Sequence, residues 1–365
     1  MRAAHIVPLR PWIQPARRGS AILSRIRTVP VRFVRTPLLC DVGYRVVRSR
    51  GRRVKGLVMA LVACSQFSPS IGAVRDNVAR TLDLIREAAA HGATVIVLPE
   101  LASCGYVFAD AAEAAAASEP ADGFAVTSWQ AAATELGVVI VSGFAEANPD
   151  GAPFNSAALV MPGSAPVIYR KAHLWDGERL IFTPGDDLPP VVDTPAGRIG
   201  VMICYDLEFP EWVRIAALMG ADLVCAPVNW PSVARPAGER PGEVVRAQAQ
   251  AAMNRVAIAA CDRSGRERGV EWSSASVIVD ADGWPAALTE HAADARRAAA
   301  PSVQATADSA VADSAAADRE DADREDAAVL ILAEIDLAAS RTKRIAEFSD
   351  VFADRRESLY ARYSG

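Results

Sequence analysis

The sequence predicts a layered α/β protein with much of its sheet buried. From Met59 onward, short continuous apolar runs of strand length alternate with stretches whose apolar residues recur at helical spacing. The apolar fraction is 51%, enough for a sizeable core in one large domain or two smaller ones. No apolar run approaches the ~18 residues of a membrane span. We therefore expect a soluble protein of the cytoplasm.

The helical pattern is clearest at 74–90, where Val74, Val78, Leu82 and Ile85 share one face and Gly92 follows as a C-terminal cap. Further helices are predicted at about 125–135, 210–219 and 242–253. Strands are predicted at 61–66, 94–98, 138–144, 156–161, 166–170, 198–203, 222–226, 255–260, 274–280 and 328–335. This alternation is typical of layered α/β architectures.

Charge is unevenly distributed along the chain. The net charge is −5, but residues 1–58 alone sum to +13 and the remainder to −18. We interpret 1–58 as a basic N-terminal extension that is disordered or not part of the fold, with the domain spanning 59–365. A targeting peptide, or a contact to nucleic acid or an anionic membrane, are the alternatives.

A second compositional break predicts a low-complexity, Ala/Asp-rich insertion at about 291–327. Of the 36 residues from 291 to 326, fourteen are Ala, nine are acidic and none is aromatic. Such a segment buries too little apolar surface to offset the entropy of ordering it. The six cysteines include no CxxC pair and there are four histidines, which argues against a disulfide scaffold or a zinc site.

Three polar residues follow buried-type strands: Glu100, Lys171 and Cys204. The ends of buried strands are where sites collect in layered α/β proteins. An ammonium group would favour the thiolate of a cysteine, and a carboxylate could take the thiol proton and return it to a leaving group. Each residue alone would also suit an ordinary core or surface position. The chain has no GxGxxG, Walker, GxSxG or HExxH motif, so nucleotide, serine-hydrolase and zincin functions lose their main support.

The segment Cys204-Tyr-Asp-Leu-Glu-Phe-Pro-Glu211, with Arg214 after it, resembles the nucleophile motif of the nitrilase superfamily, the carbon–nitrogen hydrolases. The other landmarks of that family occur in the same order. They are the base segment at 98–100, the lysine segment at 169–174, the second-glutamate segment at 178–186, the late strand pair at 269–283 and the C-terminal tail at 350–360. The resemblance covers 59–365 apart from the insertion.

This resemblance implies a four-layer α-β-β-α sandwich of the nitrilase type, a homodimer or higher homo-oligomer, and no metal or organic cofactor. It implies that Glu100 is the general base and Cys204 the nucleophile. Lys171 and the backbone N–H of Tyr205 would hold the oxyanion. Glu178 would orient Lys171 or the substrate.

The residues after the nucleophile resemble the amidase and carbamoylase branches rather than the nitrile-hydrolysing branch. We predict an amidase that converts a small aliphatic or amino-acid amide to carboxylate and ammonia through a thioester. An N-carbamoyl hydrolase is the alternative, and it would require a basic pocket residue, for which Arg235, Arg240 and Arg246 are candidates. A non-catalytic scaffold with a nucleic-acid-binding tail is the alternative from another class. Neither a nucleic-acid nor a membrane partner is expected.

Four residues are candidates for lining the substrate pocket: Tyr106, Trp175, Asn229 and Trp230. The aromatic ones would serve equally well in core packing. Asp206 and Arg214 are expected to pair and brace the turn that carries the nucleophile. We expect His173 to be packed rather than to act as a base.

Overall fold

The computed structural model describes residues 45–49, 59–289 and 328–362, and most of their strands form two sheets. The first sheet contains β1 (Arg45–Ser49), β2 (Met59–Gln66), β3 (Val95–Val97), β4 (Val139–Glu146), β5 (Phe154–Val160), β6 (Val167–Arg170) and β15 (Val329–Asp336). Its strand order is β1-β15-β2-β3-β4-β5-β6. The central pairs β2–β3 and β3–β4 are parallel, whereas β5 and β6 are added antiparallel.

The second sheet contains β7 (Val191–Thr194), β8 (Gly197–Val201), β9 (Leu223–Pro227), β10 (Ala257–Cys261), β13 (Val277–Val279) and β14 (Pro285–Leu288). Its order is β14-β13-β10-β9-β8-β7, again with parallel pairs at the centre. Two short hairpins lie outside the sheets: β11 (Arg266–Glu267) with β12 (Val270–Glu271), and β16 (Arg344–Ala346) with β17 (Ser349–Asp350).

Helices α1 (Val74–Ala90) and α3 (Phe124–Leu136) cover the outer face of the first sheet, and α4 (Pro210–Leu218) and α5 (Gly242–Asn254) cover that of the second. The described residues also form two short helices, α2 (Ala111–Ala116) and α6 (Glu357–Tyr360). In β2, Val62 and Cys64 point into a core shared with the second sheet, whereas Leu61 and Ala63 pack in the core beneath α1 and α3. Helix α5 packs on β10 and β13 from the opposite side. The predicted four-layer α-β-β-α sandwich is thus confirmed.

The predicted helices at 74–90, 125–135, 210–219 and 242–253 are present within one or two residues. No helix was predicted at α2 and no strand at β7 or β14. The strand predicted at 274–280 is longer than β13, which spans only Val277–Val279. Helix α2 was not predicted because it is six residues long and nearly all alanine, so it has no apolar periodicity. Its start is fixed instead by Asp110, whose side chain accepts the Glu113 N–H.

Strand β1 lies inside the stretch that we placed outside the fold, and it pairs in parallel with β15. The other residues of 1–58, like the insertion at 291–327, lie outside the described residues, and both assignments stay predictions. Within the described ranges, no helix is both long and apolar enough to cross a membrane.

Candidate active site

Three of the predicted site residues form a buried ion cluster. The Lys171 Nζ lies 2.7 Å from Glu100 Oε1 and 2.7 Å from Glu178 Oε1. All three side chains are buried, Glu100 completely. One cation therefore stands between two carboxylates in a region from which water is largely excluded.

Glu100 reaches this position because the chain turns sharply after β3. Leu101 has a left-handed φ of 48°, and the turn lies directly on β4. A Cβ at Gly143 would be 2.3 Å from the Leu101 nitrogen and 2.7 Å from the Glu100 Cα. Only glycine allows β4 to approach so closely, and the Gly143 N–H donates to the Pro99 carbonyl at 3.1 Å.

The register of β5 and β6 places the lysine. Ser156 pairs with Arg170, so Lys171 emerges opposite Asn155, and its N–H donates to the Asn155 carbonyl at 2.8 Å. The Lys171 carbonyl in turn accepts the Gly185 N–H at 2.9 Å, which draws the loop after Glu178 against the end of β6. A Cβ at Gly185 would be 2.4 Å from the Arg170 carbonyl oxygen.

Cys204 follows β8 and begins a 3₁₀ helix, Cys204–Glu208, with an unusual left-handed φ of 45°. Such a conformation is strained for a residue with a Cβ and is common at functional sites. The sulfur lies 3.8 Å from the Asn229 carbonyl, while the Asn229 Nδ2 donates to the Glu100 carbonyl at 2.9 Å. Asn229 thereby links the nucleophile turn to the turn of Glu100. The N–H of Tyr205 lies in the first helical turn, where backbone donors have no intrahelical acceptor.

The electrostatics of the cluster follow from burial and from its three charges. Burial raises the pKa of Glu100 to about 7, although Lys171 opposes the rise. Burial disfavours the ammonium of Lys171, but Glu100 and Glu178 outweigh it and raise its pKa. Burial and the charge of Glu100 raise the pKa of the Cys204 thiol, which Lys171 partly offsets. The resting site therefore combines a protonated thiol, an ammonium and a carboxyl group able to exchange a proton near neutral pH.

Tyr106 belongs to this cluster. Its hydroxyl donates to Glu178 Oε1 at 2.8 Å, and its ring meets Trp272 edge-on at 5.2 Å. Burial, together with the charge of Glu178, raises the pKa of its phenol. Its backbone N–H donates to Glu267, a carboxylate paired at 2.9 Å with the buried Arg263.

The other pocket candidates are placed differently. Asn229 is buried between Cys204 and Glu100, as described. The Trp175 backbone N–H donates to Glu178 Oε2 at 2.7 Å, but the residue is 39% exposed. Trp230 is buried in the core between the sheets. A lining role for the two tryptophans stays a prediction.

The expected pairing of Asp206 with Arg214 is wrong. Asp206 is fully buried and accepts hydrogen bonds from the Tyr169 hydroxyl at 2.8 Å and the Ile203 N–H at 3.0 Å. Its other oxygen binds the backbone and the ring of His173. Asp206 therefore braces the nucleophile turn as expected, but through neighbours at the end of β6 rather than through an arginine.

Arg214 instead points to the C-terminal segment. Its Nη2 donates to the Met253 carbonyl at 2.9 Å, and its guanidinium stacks on Phe352. His173 is packed as expected, with its ring stacked 3.8 Å from Phe209.

Sequence reasoning missed Asn155. Its Nδ2 lies 2.7 Å from Glu100 Oε1 and 3.3 Å from Glu178 Oε1, so it bridges both carboxylates. The sequence does contain a signal for a polar role here, because the polar pair Asn155-Ser156 precedes an otherwise apolar run of strand length. The predicted strand began at 156, one residue too late to include it.

Comparison with known proteins assigns this arrangement to a family. The sequence profile described as carbon-nitrogen hydrolase matches residues 61–295. The chain belongs to the carbon–nitrogen hydrolases of the nitrilase superfamily. It is 34% identical over 305 residues to a protein of Pyrococcus abyssi named nitrilase, covering 83% of this chain and 100% of that protein.

A second relative is the N-carbamoylputrescine amidase of Arabidopsis thaliana, 33% identical over 326 residues, which covers 86% of this chain and 97% of the plant enzyme. Among solved structures, an amidase from Nesterenkonia sp. superposes with a TM-score of 0.61 at 22% identity, covering 86% of this chain and 99% of that one. At that identity the structural match supports the shared fold, and the two sequence matches support the family.

Proposed function

We propose that this carbon–nitrogen hydrolase is an amidase that converts a small linear amide to a carboxylate and ammonia through a thioester on Cys204. The observation that carries the proposal is the cluster of Glu100, Lys171 and Glu178 beside the turn of that cysteine. A thiol in such a site can be activated without histidine, because a carboxylate with a pKa of about 7 is available as its base.

In the acylation step, the thiol proton moves from Cys204 Sγ to Glu100 and the thiolate attacks the amide carbonyl. The proposed donors to the developing oxyanion are the Lys171 ammonium and the Tyr205 N–H, since donors fixed by the fold stabilise charge that appears in the transition state. The C–N bond then breaks, and Glu100 returns its proton to the departing nitrogen. What remains is an acyl thioester and neutral ammonia.

In the deacylation step, Glu100 takes a proton from water as the water attacks the thioester carbonyl. The C–S bond breaks, the proton on Glu100 returns to sulfur, and the carboxylic acid product leaves and loses its remaining proton to solvent or to the released ammonia. Glu178 holds Lys171 in place through both steps, since its Oε1 accepts from the lysine and its Oε2 is fixed by a backbone N–H.

The second candidate is an N-carbamoyl hydrolase, which the plant relative's name favours. Recognition of a carbamoyl amino acid would need a cation for the substrate carboxylate. Arg246 is already paired with Glu208 at 2.7 Å and Glu243 at 2.9 Å. Arg240 donates to Gln248 at 2.8 Å, and Arg235 donates to the Glu239 carbonyl at 2.9 Å. These contacts support the amidase over a hydrolase of carbamoyl amino acids. They do not bear on carbamoyl amines.

The deciding experiment measures ammonia and carbon dioxide released from short aliphatic amides, amino-acid amides, N-carbamoyl amines, N-carbamoyl amino acids and nitriles. We expect ammonia without carbon dioxide from one of the two amide classes. Equimolar carbon dioxide from a carbamoyl compound would replace the amidase with the second candidate. Turnover of nitriles alone would contradict both.

The pH dependence of kcat/KM should report the base. Since Glu100 must be ionised to accept the thiol proton, and its pKa is raised to about 7, the rate should fall about tenfold per pH unit below ~7. In Glu100→Gln, most of the activity should be lost, and the residual kcat/KM should no longer decrease below pH ~7. An acid limb near pH 4.5, the ordinary value of a glutamate, would show that Glu100 is not the base or is not desolvated during catalysis.

We also propose that the protein acts as a homodimer or higher homo-oligomer in the cytoplasm. Several large apolar side chains are exposed near the outer helices of the second sheet and the C-terminal segment: Leu218, Met219, Val245, Met253, Ile345 and Phe348. Exposed apolar surface of this kind favours association with a partner. The molar mass of the full chain in solution, measured by light scattering, tests the proposal.

A further inference from the structure

Asn155 contacts all three charged residues of the site: both carboxylates through its side chain, and Lys171 through the backbone. Besides the bonds from its Nδ2 to Glu100 and Glu178, its carbonyl accepts the N–H of Lys171. The side chain is fully buried. The orientation of its amide is set by chemistry, because two carboxylate oxygens face it and only the NH₂ end can donate to them.

This contact makes the two oxygens of Glu100 unequal. Oε1 receives two donors, the Lys171 Nζ and the Asn155 Nδ2, both at 2.7 Å. Oε2 is buried and has no hydrogen-bond partner within the described residues. An oxygen with both lone pairs open accepts a proton more readily than one that already holds two donors.

We propose that Asn155 is a positioning residue for the reaction, which fixes Glu100 through Oε1 so that Oε2 is the oxygen that exchanges the proton. The inference rests on the proposed function of Cys204 and Glu100. In its terms, the proton leaves Sγ for Oε2 as the thiolate forms, and Oε2 gives it to the leaving nitrogen as the C–N bond breaks. Oε1 stays bound to Asn155 and Lys171 throughout.

A purely structural role fits the contacts less well. The Asn155 Oδ1 is buried without a partner among the described residues, and such an acceptor costs free energy that an apolar residue would avoid. Its neighbour Ser156 shows what a structural polar residue in β5 looks like. The Ser156 hydroxyl donates to Glu146 at 2.6 Å, away from the ion cluster.

Loss of Asn155 should change how Glu100 titrates. Burial and the charge of Glu178 raise the pKa of Glu100, whereas Lys171 and the Asn155 amide lower it. The thiol of Cys204 and the phenol of Tyr106 belong to the same buried cluster. Removing one donor to the carboxylate leaves the raising influences in place, so the pKa of Glu100 must rise further.

The test compares Asn155→Ala and Asn155→Asp with Ser156→Ala, a matched loss of a buried hydrogen bond at the next position of β5. The readout is the pH dependence of Cys204 alkylation by iodoacetamide, which needs the thiol and its base but no amide turnover. We expect the acid limb to move up by about one pH unit in Asn155→Ala, with alkylation at pH 7 slowed about fivefold. Ser156→Ala should keep the wild-type profile.

Asn155→Asp has the same shape as the wild type without the NH₂ donor, and it adds a third carboxylate to the cluster. The acid limb of its alkylation profile should therefore move up at least as far as that of Asn155→Ala. This variant also provides the test if Asn155→Ala does not fold. Superimposable profiles for wild type, Ser156→Ala and a folded Asn155 variant would overturn the inference, even if their melting temperatures differ. An unchanged profile in Glu100→Gln would instead overturn the proposed base, and with it the function on which this inference rests.

Discussion

Replacing Cys204 with alanine should reduce amide hydrolysis by at least ~10⁴-fold, as expected when a covalent nucleophile is removed from a preorganised site. The variant loses only the sulfur atom and keeps the turn that presents it. Asp206 should still brace that turn, because its four hydrogen bonds come from Tyr169, His173 and Ile203 rather than from the cysteine. Ammonia release and thermal melting, measured on the same preparation, check the two expectations together.

The matched control is Cys225→Ala. Cys225 lies in β9, is fully buried in the core between the sheets and has no role in the proposed mechanism. We expect this variant to lose some stability, since it leaves a small cavity, while activity per folded molecule stays within about twofold of wild type. If Cys204→Ala kept a tenth of the wild-type rate, or if Cys225→Ala lost as much activity as Cys204→Ala, the assignment of the nucleophile would be wrong.

The helices and the buried strands could be predicted because each follows from residues close together in the sequence. The apolar face of helix α1 is visible as apolar residues at helical spacing within 17 positions, and β3 is visible as a continuous apolar run. Helix α2 and strand β14 have neither signal, because alanine and proline dominate them. Their places depend on contacts with distant parts of the chain, which local periodicity does not contain.

The site could be predicted in part for the same reason. Glu100, Lys171 and Cys204 follow strand patterns, so their convergence at strand ends was an expectation before any geometry was known. Asn155 was missed because its role depends on the register between β5 and β6, which places it opposite Lys171. The partner of Asp206 was mispredicted because proximity in the sequence to Arg214 says little about which side chains meet across a turn.

Lys171→Met should produce the largest combined loss of stability and activity. The lysine pairs with two carboxylates that have almost no access to water, Glu100 and Glu178. Removing one partner from a buried ion cluster leaves uncompensated charge, and we expect a loss of about 3–5 kcal/mol in the free energy of unfolding. The oxyanion donor is lost as well, so hydrolysis should fall by at least ~10²–10³-fold in the fraction that remains folded.

The control for the lysine is Lys343→Met. This half-buried lysine donates to the carbonyls of Asn254 and Arg255 at the end of α5, and burial lowers its pKa to about 8. Its loss removes an interaction at a helix C-terminus without touching the ion cluster. We expect a smaller loss of stability in urea unfolding and unchanged activity per folded molecule.

A double variant, Lys171→Met with Glu178→Gln, separates the charge argument from simple damage to the core. If uncompensated charge destabilises Lys171→Met, removing one of the two anions should recover part of the lost free energy, so the double variant should be more stable than the sum of the single losses implies. Activity should not recover, because the ammonium that stabilises the oxyanion is still absent. Additive losses in urea unfolding would mean that the 2.7 Å contact between Lys171 and Glu178 contributes no coupling energy. The proposed role of Glu178 in holding the lysine would then be wrong. The catalytic role of Lys171 would still be tested by the rate of hydrolysis in the single variant Lys171→Met.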